Sequence, residues 1–127
     1  MPTTSGQIGA YQSVQATTAD PGKLVLMLFD GAVRFLIRAQ QRLEVGDVVQ
    51  FSQSVARAQA IIGELRSSLN HEQGGEVAAT LEQLYDFMQR HLSQGLLTKS
   101  GTHVQQVLRP LQTVREGFQS VLSEPGA

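Results

Sequence analysis

The chain contains three histidines, which are candidate metal ligands. Di-iron sites in helical bundles use Glu-x-x-His pairs, because that spacing places both ligands on one face of a helix. The histidines are His71, His91 and His103, and the residues three positions before them are Ser68, Met88 and Ser100. The Glu-x-x-His pattern is therefore missing, and we expect solvated histidines and no metal site.

Carboxylates and hydroxyl groups give no better catalytic pattern. Glu82 and Asp86 are four residues apart, but Arg90 follows Asp86 at the same spacing, which favours a solvated, ion-paired helix face. The serines and threonines lack the glycine-flanked elbow of hydrolases. The segment 98–100 lacks the glycine-rich loop of a phosphate cradle. We therefore predict no catalytic residue, no cofactor and no enzymatic activity.

Composition narrows the remaining classes of function. The chain has 127 residues, a formal net charge of -1, and no cysteine or tryptophan. Without cysteine there are no disulfides or thiolate metal ligands. Without a basic block or stacking aromatics, nucleic-acid binding is not expected. No apolar run reaches the roughly 18 residues that a membrane span needs, so we expect one cytoplasmic domain without direct membrane insertion.

The first predicted helix carries more apolar residues than one buried face requires. Asp20 is a favourable N-cap and Pro21 suits the first helical position. Two apolar stripes then follow at helical spacing. They consist of Leu24, Leu28, Phe35 and Ala39 in one, and Val25, Phe29, Ala32, Leu36 and Leu43 in the other. Such a helix is either the most buried one of its bundle or offers a second face to a partner, and both interpretations stay open.

Three further helices are predicted from apolar residues that recur at intervals of three and four. The second is predicted to begin after Asp47, the third after the Gly74-Gly75 pair and the fourth near Ser100. Pro110 is expected to kink or divide the fourth helix. The apolar positions are Phe51, Val55, Ala58, Ile62, Leu65 and Leu69; Val77, Leu81, Leu84, Met88 and Leu92; and Val104, Val107, Leu111, Val114, Phe118 and Val121.

The predicted fold is all-α. Four helices with short connections favour an antiparallel up-down-up-down four-helix bundle over residues 20–123. Residues 1–19 are small and polar without a sustained period, so we predict a mobile N-terminal arm there. Residues 124–127 are expected to form a short C-terminal tail.

Three segments carry a resemblance to a known family. They read GAYQSV at 9–14, ADPGKLVLMLFDGAVRFLIRA at 19–39 and LNHEQGGEVAATLEQLYDFMQRHL at 69–92. Their residues, order and spacing resemble the motifs of the FliS family of bacterial flagellar secretion chaperones. The fourth helix departs from that family's pattern, because Pro110 lies inside it and Phe118 stands near the usual tryptophan position.

The resemblance implies a flagellar chaperone without ATPase activity. FliS-like proteins bind the disordered C-terminal segment of flagellin in the cytoplasm, prevent its premature polymerisation and help deliver it to the flagellar type III export apparatus. The expected partners are therefore the flagellin segment and an export-gate protein. We expect partner contacts from Ile8, Tyr11, Leu24, Met27, Leu28, Ile61, Leu65, Tyr85, Met88 and Leu108.

The surplus apolar residues give this function a physical basis. A disordered client with amphipathic segments needs apolar grooves on its host, and an empty groove favours aggregation. We therefore hypothesise that Ile8 and Tyr11 of the arm lie over part of the groove when no client is bound. Tyr85, Ile61 and Leu108 are expected to point outward and to extend the binding surface.

Other interpretations stay open at this point. A self-associating helical scaffold without a flagellin client, present as a weak homodimer, is the alternative function. An enzyme or metal carrier is disfavoured by the missing Glu-x-x-His pairs. Arg34, Arg38 and Arg42 form a basic stripe along the first helix, which is either a solvated face or a contact for an acidic partner.

Overall fold

The computed structural model describes residues 20–124. The predicted arm, with Ile8 and Tyr11, and residues 125–127 lie outside the described residues. Four helices follow one another along the described chain. They are α1 (Pro21–Glu44), α2 (Val48–Ser67), α3 (His71–Thr98) and α4 (Gly101–Ser123).

Each helix begins at a polar residue that caps it. The side-chain oxygen of the cap accepts a hydrogen bond from the backbone N–H three residues later, at 3.0–3.3 Å. These bonds satisfy amide groups that would otherwise have no partner in the first turn of the helix. The capping residues are Asp20, Asp47, Asn70 and Ser100.

Each helix packs against its two neighbours in a closed ring, with α4 returning to α1. Polar contacts show the direction of neighbouring helices. Along α1 and α4, Asp30 pairs with Arg115, whereas Gln40 donates a 2.7 Å hydrogen bond to Gln105. The earlier residue of α1 thus contacts the later residue of α4, and the later residue of α1 contacts the earlier one. These two helices therefore run in opposite directions.

The ends of the described chain also meet in space. A Cβ atom placed on Gly22, in the first turn of α1, would lie 2.5 Å from a methyl group of Leu122 in the last turn of α4. The start of α1 and the end of α4 therefore lie together at one end of the bundle.

All four helices contribute to one hydrophobic core. The buried apolar positions of α2 are those predicted from its spacing, whereas Leu69 lies just after the helix and is half-buried. The all-α four-helix bundle predicted from the sequence is thereby confirmed. The core residues are Phe29, Ala32, Leu36, Ala39, Phe51, Val55, Ala58, Ile62, Leu65, Tyr85, Met88, Leu92, Val104, Val107, Leu108 and Leu111.

The start of α3 differs from the prediction. The helix begins at His71, five residues before the predicted start after Gly75, because Asn70 caps its first turn. Gly75 then interrupts it with φ 50° and ψ -125°, a conformation that glycine adopts far more readily than other residues. The Gly74-Gly75 pair therefore marks a break inside the helix rather than the turn before it.

Pro110 neither ends nor divides α4, which is continuous from Gly101 to Ser123. Proline has no backbone N–H, so the carbonyl group of Gln106, four residues earlier, lacks its usual helical donor. Of the two effects predicted for Pro110, a kink or a division, the division is therefore wrong.

The buried face of α3 is the predicted one only in part, because Met88 and Leu92 are buried as predicted but Val77 and Tyr85 are not placed as predicted. Val77 is exposed, whereas Tyr85 is buried. Ala78, Tyr85 and Leu92 are separated by seven residues, which is about two helical turns, so they share one face. Tyr85 therefore belongs to the core, and the expectation that it points outward is wrong.

Candidate functional site

The outer face of α1 carries the exposed apolar surface expected of the first helix. Met27 is 55% exposed, and Leu24 and Leu28 are half-buried on either side of it. Phe29, Ala32 and Leu36 of the same helix lie in the core, so α1 has a buried face and a second apolar region outside it. One face of the first helix is thus buried in the core, and the interpretation that its second apolar region meets a partner stays a prediction.

Farther along α1 the outer face becomes basic. Arg34 and Arg38 are exposed, and Arg42 is half-buried. Met27 and Arg34 are seven residues apart, so they lie on the same side of the helix about two turns from each other. The outer face of α1 thus combines an apolar end and a basic end.

A residue of α2 joins this face. The guanidinium carbon of Arg57 lies 5.7 Å from the centroid of the Phe35 ring, within the range of a cation–π contact. A shallow depression of about 660 Å³ is bounded by Phe35, Ile37, Arg57 and the basic residues of α1. The basic stripe was predictable from its spacing in α1, but Arg57 was not, because periodicity within one helix does not show what a neighbouring helix contributes.

The remaining expected contact residues lie elsewhere. Leu65, Tyr85, Met88 and Leu108 are buried in the core, and the expectation that Leu108 points outward is also wrong. Leu108 follows Val104 by one turn and therefore shares its buried face. Ile61 is half-buried, and a Cβ on Gly31 would lie 3.3 Å from its Cδ1 atom, so Ile61 fills the α1–α2 contact.

Burial of Tyr85 gives the protein a specific alkaline sensitivity. Removal from water raises the pKa of Tyr85 from its ordinary 10.0 to about 12. The folded state thus favours the neutral phenol more strongly than the unfolded state does. Its contribution to stability is complete below about pH 10 and is lost as the pH rises through about 12.

Replacing Tyr85 by phenylalanine is therefore expected to flatten the fall in unfolding free energy between about pH 10 and 12. The measurement is urea denaturation across this range, together with the phenolate absorbance of the native protein. In the wild type, one phenol should ionise well above pH 10, and that step should vanish in the Tyr85→Phe variant. Ordinary ionisation of Tyr85 near pH 10 would contradict the prediction.

Two of the three histidines lie between helices rather than in solvent. The His91 ring stacks at 4.0 Å between centroids on Phe87 and lies 5.7 Å from His103 of α4. The Nδ1 atom of His103 is buried and has no hydrogen-bond partner among the described residues. The expectation of solvated histidines holds for His71, which is exposed, and is wrong for the half-buried His91 and His103.

Two carboxylates of α3, Glu82 and Asp86, bind an arginine of α2. Glu82 pairs with Arg66, and Asp86 lies 3.3 Å from the same guanidinium group. Asp86 also makes the predicted ion pair with Arg90 at 3.0 Å. The hydrogen bond to Glu82 raises the pKa of the Arg66 guanidinium. Glu82 and Asp86 therefore link α3 to α2, in addition to the predicted ion pair within α3.

Within residues 20–124 there is no group of three or more histidine or acidic side chains arranged to hold a metal ion. In the same part of the chain, no helix is long and apolar enough to cross a membrane.

Comparison with known proteins identifies the family. The family model described as Flagellar protein FliS matches residues 4–125. The chain belongs to the FliS family. Flagellar secretion chaperone FliS of Salmonella typhimurium is 38% identical over 123 residues, covering 93% of this chain and 91% of that protein. The Vibrio cholerae protein of the same name is 30% identical over 123 residues, covering 94% and 90%. The Campylobacter jejuni protein of that name is 34% identical over 112 residues, covering 88% of each.

Membership of the FliS family settles the class of function. Its named relatives are chaperones, which confirms the non-enzymatic assignment. Several residues that carry the FliS resemblance have structural tasks in this chain. Phe29 and Met88 fill the core, Asp30 pairs with Arg115, and Gly75 breaks α3. These motif positions therefore maintain the bundle, and the exposed surface of α1 is the better candidate for partner contacts.

Proposed function

We propose that this chain is a flagellar export chaperone that binds the disordered C-terminal segment of flagellin in the bacterial cytoplasm. In this role it prevents premature polymerisation of flagellin and aids delivery to the type III export apparatus through an export-gate protein. The proposal rests on membership of the FliS family, whose relatives are named flagellar secretion chaperones.

The outer face of α1 supports this function physically. A client segment that folds as it binds must bury enough apolar surface to offset the conformational entropy it loses. Met27 offers an exposed apolar anchor, and the half-buried Leu24 and Leu28 widen the surface around it. An amphipathic client helix can lay its apolar side on these residues. The buried residues Leu65, Tyr85, Met88 and Leu108 would instead support the contact surface from within.

Isothermal titration with a peptide spanning the C-terminal region of the cognate flagellin is the direct test. We expect one-to-one binding with a large negative heat-capacity change, the sign of apolar burial coupled to folding. Met27→Glu is expected to weaken binding about tenfold, or about 1.4 kcal/mol, because a charge replaces the apolar anchor. The matched control is Val77→Glu, at a residue that is 68% exposed on α3, which packs on α2 and α4. No binding by a folded sample would contradict the function and would favour the self-associating alternative, which sedimentation velocity would then reveal.

The same titration tests the proposed role of the arm. If Ile8 and Tyr11 cover part of the client-binding surface before the client arrives, they compete with the client. Tyr11→Ala would then remove a competitor and should tighten client binding. The same variant should weaken binding to the export-gate protein if the tyrosine contacts it. Unchanged affinity for both partners would show that Tyr11 has neither role.

A further inference from the structure

Four arginines gather around the depression between α1 and α2. They are Arg34, Arg38, Arg42 and Arg57, here called the arginine cluster, and all four border this depression. Four of the ten basic side chains of the protein thus lie on one small area, although the chain as a whole has a net charge of -1. From Arg34 to Arg42 the helix rises only about 12 Å.

The positive charge of this cluster is not neutralised within the described chain. Among residues 20–124, no carboxylate lies within ion-pair distance of these four side chains, whereas Arg66, Arg90 and Arg115 all have acidic partners. Like charges four residues apart on a helix repel each other. The Nε atom of Arg42 is buried and has no hydrogen-bond partner in the same range. The exposed guanidinium groups of the cluster therefore have charge to offer to an acceptor from outside.

Two apolar side chains lie among the arginines. Ile37 is 38% exposed beside them, and the Phe35 ring lies under Arg57. A guanidinium group binds a carboxylate through two parallel hydrogen bonds, which an aliphatic contact alongside would reinforce. Strands of nucleic acid are less suited to this surface, because the chain carries no net positive field and the cluster is short.

We infer that the arginine cluster, with Ile37 and Phe35, is a docking site for an acidic amphipathic peptide segment of a partner protein. The segment presents Glu or Asp side chains at helical spacing to the arginines and an aliphatic side chain to Ile37. Charge complementarity decides the chemistry of this occupant. The inference does not depend on flagellin being the client, because it rests only on the residues of α1 and α2.

The test uses a fluorescent peptide of about 14 residues built from Glu, Ala and Leu, with glutamates on one helical stripe and leucines on the next. Fluorescence anisotropy measures its binding to the full chain at low salt. We expect saturable binding that weakens as salt is added. The double variant Arg34→Gln, Arg38→Gln should weaken it at least tenfold. Both positions are exposed, so the variant should keep the circular dichroism and the unfolding midpoint of the wild type.

Matched controls separate local recognition from general charge. Arg109→Gln neutralises an exposed arginine on α4, and this change should leave peptide affinity within about twofold. A peptide with lysine in place of glutamate should not bind. An equal loss from Arg109→Gln, or binding of the lysine peptide, would overturn the inference.

Two other anionic probes complete the experiment. Tighter binding to phosphatidylglycerol vesicles or to a single-stranded oligonucleotide than to the acidic peptide would also overturn the proposed occupant. The flagellin titration uses a different ligand. Failure of flagellin binding would therefore leave the result with the acidic peptide intact, and failure of the acidic peptide to bind would leave the flagellin result intact.

Discussion

Replacing Phe51 by alanine is expected to lower the free energy of unfolding by about 3–5 kcal/mol. Phe51 is fully buried in the first turns of α2, among core residues from all four helices. Its removal deletes a large apolar contact and leaves a cavity that a closed ring of helices can only partly refill. A domain of this kind has about 5–15 kcal/mol of stability in all, so the loss is a large share.

The measurement for this prediction is urea denaturation followed by far-UV circular dichroism. Val49→Ala, two residues earlier on the same helix and 65% exposed, is the control and should stay within about 0.5 kcal/mol of the wild type. A similar small change in both variants would mean that the core does not centre on Phe51.

Gly75→Ala is expected to destabilise the protein by about 1–3 kcal/mol, whereas Gly117→Ala should stabilise it by about 0.5–1 kcal/mol. Both glycines lie inside helices, and a Cβ at either position would meet no atom within 4 Å. Only Gly75 has a positive φ, so steric clash with neighbours does not explain the expected difference. The loss at Gly75 reports backbone strain, and the gain at Gly117 reports the better helix propensity of alanine.

Urea denaturation of the two glycine variants side by side shows directly whether each substitution raises or lowers the free energy of unfolding. A gain in stability from Gly75→Ala would mean that α3 straightens readily through residue 75, and the break would then not be a fixed feature of the fold.

The sequence predicts α2 best, because its apolar residues recur on a single narrow stripe. From Phe51 to Leu65 only one face of the helix can be buried. The caps were equally local, since each depends on one polar side chain and the amide three residues later. These local features were predicted correctly for α1, α2 and α4, whereas the cap of α3 at Asn70 was missed, because the Gly74-Gly75 pair indicated a turn before the helix.

Features that depend on the neighbouring helices were not predicted correctly. The apolar arc of α3 is broad enough to bury either Val77 or Tyr85, and the position of its neighbours decides for Tyr85. At the candidate site, the exposure of Met27 followed from the surplus of apolar residues on α1. The placement of Arg57 beside Phe35 requires α1 and α2 to pack at one particular register, which no single-helix pattern specifies.

The contact between Gly22 and Leu122 means that the order of the helices is cyclic in space. Each helix packs on the next and α4 packs on α1, so we expect the bundle to tolerate a chain break at a different connection. A circularly permuted protein, with a short linker joining residues 20 and 124 and new ends between α2 and α3, would keep every helix contact. We therefore expect that a fused domain can be attached at either end of the bundle.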